Sequence, residues 1–400
     1  MKCCWIHIGM HKTGTTSIQL NLADHETDSD WLYLTLGKRR NMGAALYAMF
    51  SSEPHRYHWF QKRGDTPEQV ASDAEILRSQ FIEILKSSTA KNSILSGESL
   101  TLIDKQGIIR LRDFLKPFFD SIQVIGYVRP PIAFKISFFQ QRLKHSNSEL
   151  NFSDFHLQYR QRFKKFDLVF GRDQVTLKKF DPNTLKNQCI VADFRAEIGM
   201  PSLENPSSVR MNESLCREAC AILYAYRKFG PDYGSGPDAL KENKRILAPL
   251  LEMKGEPFRV CQSMVKDSLS LEQKDIQWME NRLGTTLDEK RDFNVGDITQ
   301  EDQLLHVDGA TCRYYADIFE MIYGKALPNE IVPCGERLHP QQAADFLENC
   351  RAFCREMIRE ERAMQVAAKK IPPPRKSGFR VSCLRRLRRI TGIPVKRKGA

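Results

Sequence analysis

No apolar run in this 400-residue chain reaches the roughly 18 residues that a membrane-crossing helix needs. The apolar stretch 3–10 is short and runs straight into His11 and Lys12, so no secretory leader is expected. Eleven cysteines, an odd number, include no Cys-x-x-Cys pair. That argues against a disulfide framework and against zinc spacing. Cys216/Cys220 and Cys350/Cys354, each four residues apart on expected helices, read as buried thiols in a reducing, cytoplasmic compartment. There is no internal repeat. Acidic residues are missing after Arg362, where twelve basic ones follow between Lys369 and Lys398. This tail carries the whole formal excess of +12, and residues 1–362 balance. The basic character therefore gives no reason to expect the folded body to bind nucleic acid specifically.

What is present is an alternation of short apolar runs and helical periodicities over the first 200 residues. It predicts an α/β fold: three layers around a central parallel sheet, with a helical C-terminal part and a basic tail. Strands are expected at 3–9, 93–96, 121–128 and 174–180. Helices are expected at 15–23, 67–87, 108–119, 131–143 and 190–198. Asn212 and Glu213 read as the start of a helix running to 229. Beyond it the pattern is mostly helical, broken at the turn-rich 230–237. Residues 340–368 read as one charged helix, ended by Pro372–Pro374. The expected divisions are 1–330, helix-rich from about 205; a helical extension, 331–368; and a flexible tail, 369–400.

The candidate chemistry begins at His7-Ile8-Gly9-Met10-His11-Lys12-Thr13-Gly14-Thr15-Thr16-Ser17, between the first strand and the first helix. A helix N-terminus offers unpaired amides and a positive dipole end to an anion. Gly14 lets the backbone close around an oxygen, Thr15 and Thr16 add hydroxyls, and Lys12 adds charge. The ATP-type loop places lysine after its second glycine; here lysine precedes Gly14 by two. No strand ends in an aspartate suited to magnesium, which disfavours a nucleotide-dependent kinase. A second alternative is a non-catalytic adaptor acting through the tail.

The order Lys12-Thr13-Gly14-Thr15-Thr16 resembles the 5′-phosphosulfate loop of the sulfotransferase family. The resemblance implies a P-loop-type fold and 3′-phosphoadenosine-5′-phosphosulfate as co-substrate, bound by His11, Lys12, Thr13, Gly14, Thr15 and Thr16, without a metal. It also implies a 3′-phosphate site, matched by Arg129 at the end of a strand and Ser137 eight positions on. Ser137 lies more than two helical turns into its segment, so the fold must bring it back toward Arg129. Looser landmarks of bacterial-type members are Phe180-Asp181-Pro182, Asp193-Phe194 and residues 209–215. Animal cytosolic members carry tryptophan where this chain has Ser17, so the adenine end departs from that pattern.

Sulfuryl transfer to an acceptor hydroxyl needs charge stabilisation and a general base. Lys12 is assigned to the bridging oxygen. Glu98, just past the 93–96 strand, is the expected base, with Glu26, His25 and His11 as rivals; His7 reads as a core histidine. The acceptor is expected on a carbohydrate or lipid-linked sugar, and Tyr57, Trp59 and Phe60 are either ring-stacking or core residues. In the tail, apolar residues of 379–393 recur every three positions and spread around a helix, forming no single face. Charge alone can still bring residues 369–400 to an anionic inner membrane surface. Arg375-Lys376-Ser377-Gly378 resembles a basic-glycine motif of the family, but its place in a proline-led tail makes it a coincidence of sequence.

Overall fold

Near-continuous burial along the strands goes with helices on both faces of one sheet. The structure is a computed structural model that describes residues 1–10, 12–24, 30–37, 40–145, 149–201, 214–232, 234, 236–289 and 296–370. His11, His25, Glu26, residues 209–213, Pro372–Pro374 and the tail beyond 370 lie outside the described residues. Strands β1 (Cys3–Gly9), β2 (Trp31–Tyr33), β3 (Asn92–Ser96), β4 (Ser121–Val128) and β5 (Val175–Lys179) form a wholly parallel sheet in the order β2-β3-β1-β4-β5.

The helices up to residue 200 are α1 (Thr15–Asp24), α2 (Gly43–Phe50), α3 (His58–Arg63), α4 (Pro67–Ser87), α5 (Lys105–Leu115), α6 (Pro131–His145), α7 (Tyr159–Phe170) and α8 (Ile190–Glu197). Ile6 and Ile8 of β1, with Val124 and Val128 of β4, share one core with Leu46 of α2, Phe81 of α4, Leu111 of α5 and Phe163 of α7. The intervening Ile125 and Tyr127 share the other with Ile18 of α1 and Phe194 of α8. Both faces are covered, as a parallel sheet requires. Each fully buried aliphatic side chain contributes roughly 1.5–3 kcal/mol.

The remainder is helical: α9 (Arg217–Phe229), α10 (Pro237–Glu252), α11 (Gln262–Leu271), α12 (Gln273–Leu283), α13 (Gly309–Tyr323) and α14 (Pro340–Lys370). Met1–Cys354 makes one compact unit; the described part of the second is the end of α14 from Arg355. Two partly buried ion pairs fix α12 and its N-cap against the sheet layers. Arg282 grips Asp167 of α7 with two bonds of 2.8 Å and donates to the Val175 carbonyl. Lys135 of α6, fully buried, meets the Glu272 carboxylate at 2.5 Å and also donates to the carbonyls of Phe152 and Phe155. The extra bonds satisfy the buried ammonium, without which desolvation would outweigh the pairing.

Three expectations are corrected. The helix expected from Asn212 starts at Arg217, because the Cys216 sulfur accepts from the Ala219 amide and serves as its cap. The helix expected at 108–119 is Lys105–Leu115, because the Asp104 carboxylate accepts from the Gly107 amide. Strand β2 and helices α2, α3 and α7 were not foreseen; β2 is only three residues long, too short for a period to register. Cys216, Cys220, Cys350 and Cys354 are buried free thiols, as expected.

Gly126 packs against the central strand. A Cβ there would stand 2.8 Å from both Cγ1 and the carbonyl oxygen of Ile8. Gly126→Ala should therefore destabilise the protein by about 1–3 kcal/mol, read as a lowered urea midpoint at unchanged slope.

Candidate functional site

The β1–α1 connection is shaped by two residues in the left-handed region, Lys12 at φ 64° and Gly14 at φ 78°. For lysine that conformation costs about 1–2 kcal/mol, so surrounding contacts must hold it. Thr13, fully buried, donates its hydroxyl to the Met10 carbonyl at 2.8 Å. The Gly14 carbonyl accepts the first amide bond of α1, from Ile18 at 3.0 Å. A side chain at Gly14 would meet Ile190 of α8 at 2.8 Å, and one at Gly9 would meet the Thr15 hydroxyl at 2.8 Å. The loop therefore needs both glycines for close approach. No acidic residue occupies the first turn of α1, leaving its dipole end positive.

Arg129 leaves the end of β4 and donates Nη1 to the Lys12 carbonyl. Its own carbonyl accepts from the buried Tyr159 hydroxyl at 2.5 Å. Burial, then Glu289, Asp275 and Glu272, hold the Tyr159 phenol well above its ordinary range, so it remains a donor. Asp275 in turn caps α7 by accepting from the amides of Tyr159 and Arg160 at 2.6 and 2.8 Å.

A cleft of about 420 Å³ is lined by Lys12, Gly14, Thr15, Thr16, Ser17, Glu98, Arg129, Gln141, Phe180 and Ser214. Glu98 opens a 3₁₀ turn, Glu98–Leu102, directly after β3. At Arg129 and Ser214 this cleft adjoins another of about 880 Å³, whose walls include Ser137, Gln140, Met253, Lys254, Phe258 and Arg259. The fold thus brings Ser137 to the same cavity as Arg129, on a face of α6 shared with Ala133 and Gln140.

Of the expected residues, Lys12, Gly14, Thr15, Thr16, Glu98 and Arg129 line one cleft, and Ser137 lines its neighbour. Thr13 faces the interior and shapes the loop. His11 and the rival bases His25 and Glu26 lie outside the described residues. His7 is a core residue: its Nδ1 lies 2.9 Å from Ser96 Oγ and its ring meets Phe194 edge-on. Phe60 is buried in the core, and Trp59 is exposed beneath the Arg63 guanidinium at 4.5 Å. Tyr57 stacks on Tyr47 and brings its hydroxyl to Ser99 Oγ at 2.7 Å.

Sequence reasoning missed Gln141 and the 253–259 wall, and gave Phe180 only as a landmark, not as a site residue. Gln141 stands four residues past Ser137 and Phe180 directly follows β5, so helical spacing and the strand-end rule could have flagged both. The wall carries no such signal. Among the described residues no group of histidine, cysteine, aspartate and glutamate has a metal-binding arrangement, and no helix is long and apolar enough to cross a membrane.

No family model and no curated relative matches the chain. The solved structures that show likeness include three sulfotransferases. The sulfotransferase from Alicyclobacillus acidocaldarius is 12% identical with a TM-score of 0.36, over 70% of this chain and 95% of that one. The sulfotransferase domain of the Synechococcus PCC 7002 olefin synthase is 14% identical with a TM-score of 0.35, over 68% and 94%. The sulfotransferase domain from the curacin biosynthetic pathway is 10% identical with a TM-score of 0.34, over 68% and 98%. At such scores the functional reading rests on the site's own residues.

Two outcomes are expected of these contacts. Tyr159→Phe strips the partly buried Arg129 carbonyl of its donor and should cost about 1 kcal/mol in a urea titration. Burial pushes His7 down to about 3, whereas a free histidine titrates near 6.5. Between those values the unfolded chain binds a proton that the folded chain excludes, so stability falls as pH drops from about 6.5 toward 3. His7→Gln should flatten that slope of unfolding free energy against pH.

Proposed function

We propose that this chain is a sulfotransferase that moves the sulfuryl group of 3′-phosphoadenosine-5′-phosphosulfate to an acceptor hydroxyl. The observation that carries the reading is one continuous arrangement. A lysine-bearing anion loop, a carboxylate across from it and a strand-end arginine line a single cleft. That cleft meets, at Arg129, a second one large enough for a nucleoside. The loop amides, Lys12, Thr15 and Thr16 hold the 5′-phosphosulfate; Arg129 and Ser137 take the 3′-phosphate; the larger cleft takes the adenosine.

In the reaction the acceptor oxygen attacks sulfur while the bond from sulfur to the bridging oxygen breaks. The electron pair passes to that oxygen, where Lys12 and the α1 dipole receive the charge. The acceptor proton passes to Glu98. Charge development and proton removal are thus served from opposite walls of one cleft. The acceptor hydroxyl lies on a carbohydrate or a lipid-linked sugar, reached from the Glu98 side, in a cytoplasmic setting.

Adenosine 3′,5′-bisphosphate should raise the melting temperature, by about 2.7 kcal/mol of stabilisation at one hundred times its Kd, and ATP with magnesium should not. The reverse pattern would support a kinase, and a flat response to both the adaptor reading. Glu98→Gln should lower transfer by about 10²–10⁴-fold with the bisphosphate shift intact. Retained turnover in that variant would move the base to Glu26 or His25.

A further inference from the structure

Lys165 of α7 is buried against the 3₁₀ turn that carries Glu98. Its Nζ donates to the Thr101 carbonyl at 2.6 Å and lies 5.9 Å from the centre of the Phe166 ring. Lys135 shows what a buried ammonium ordinarily needs: two carbonyls and the Glu272 carboxylate. Lys165 has one carbonyl, and among the described residues it forms no ion pair. Burial first, then Arg162, push its ammonium down to about 7 against the pull of Asp104. For stability alone, an apolar side chain of similar volume would serve as well or better at this position.

What this lysine does is tie a turn. Thr101 accepts from it on the carbonyl and passes the hold on, its hydroxyl donating to the Glu98 carbonyl at 3.2 Å. The start of the turn is held separately, by the Gly97 amide on the His7 carbonyl at 3.2 Å. Its middle is held by Ser99 Oγ and the Tyr57 hydroxyl, 2.7 Å apart. The Lys165 bond is the one that reaches α7. The same helix also holds Arg129: its first residue, Tyr159, donates to the Arg129 carbonyl at 2.5 Å. Lys165 follows six residues later, about 9 Å along the axis. Glu98, Arg129 and Lys12 line one cleft. One helix thus grips the backbone behind both Glu98 and Arg129.

Resting on the sulfuryl-transfer reading above, we propose that α7 is the spacer that sets the distance between the donor side and the base side of the cleft, with Lys165 as the positioning residue for Glu98. In-line attack depends on that distance, and a displacement of about 1 Å can cost roughly 100-fold in rate. A directional bond from a buried ammonium fixes the turn where apolar packing would let it shift.

The test compares the full chain with Lys165→Met, which keeps the volume and removes the donor, and with Thr101→Val, which removes the next link. Turnover is read as radiolabelled sulfate leaving the donor for nitrophenyl β-D-glucoside or for water. Both variants should lose kcat by about 10–100-fold with the KM for the donor unchanged. In Lys165→Met the urea midpoint should hold or rise, while the amides of 98–102 exchange hydrogen faster. Adding Lys165→Met to Glu98→Gln should cost little more, because the group being positioned is already gone. Full turnover in either single variant, a lowered urea midpoint or unaltered exchange at 98–102 in Lys165→Met, or losses that multiply in the double variant would overturn the proposal. So would a parent chain that is stabilised by adenosine 3′,5′-bisphosphate yet releases no label. A parent chain that the bisphosphate leaves unshifted in melting temperature refutes the sulfotransferase reading itself.

Discussion

Arg129 is the point through which the rest of the molecule acts on the loop. Its guanidinium holds the carbonyl of Lys12, and its own carbonyl is held by Tyr159. Tyr159 opens α7, whose first amides are capped by Asp275, while Glu272 accepts from the Leu157 amide and pairs with Lys135 of α6. Tyr159 and Lys135 are fully buried and their partners partly so, and a buried hydroxyl or charge left without a partner is expensive. The loop after the first strand is thereby tied to helices more than 140 residues later in the chain. A short series of polar contacts thus connects α12 and its N-cap to Lys12.

That tether explains how a lysine can rest in the left-handed region. Backbone strain of this kind persists where surrounding contacts over-determine it, and it collects at functional sites. Here the contacts are the Arg129 bond, the Thr13 hydroxyl on Met10 and the packing of Gly14 against Ile190. The result is a turn that delivers a helix N-terminus and a lysine to the same cleft. Such a turn is a concavity for an anion, and the carboxylate of Glu98 faces it from the neighbouring strand end.

The position of the two clefts follows from strand order. With β1 central, its loop has the β3 end on one side and the β4 end on the other. Glu98 and Arg129 are therefore separated by the loop itself. A two-ended donor can lie toward β4 and β5, leaving the β3 side for an acceptor. This is the arrangement expected of parallel sheets, where ligands collect at the C-terminal strand ends.

Much of this was written locally. The strand at Cys3–Gly9, the buried strand at Ser121–Val128 and the proline-led helix at Pro67–Ser87 have the bounds that their periodicities imply. Side-chain period and capping depend on near neighbours in sequence. The loop order and the Arg129–Ser137 spacing are likewise short-range, and so the residues of the smaller cleft were largely legible. The start of α9 was not: its cap is a cysteine sulfur, a weak acceptor whose role depends on burial. Nor was the 253–259 wall of the larger cleft. By itself the sequence determined which segments become strands and helices and which loop presents its amides to an anion. Only the tertiary structure decided which distant side chains share a cavity with that loop, because that depends on how covered sheet faces and partly buried ion pairs dock segments with no local relation to one another.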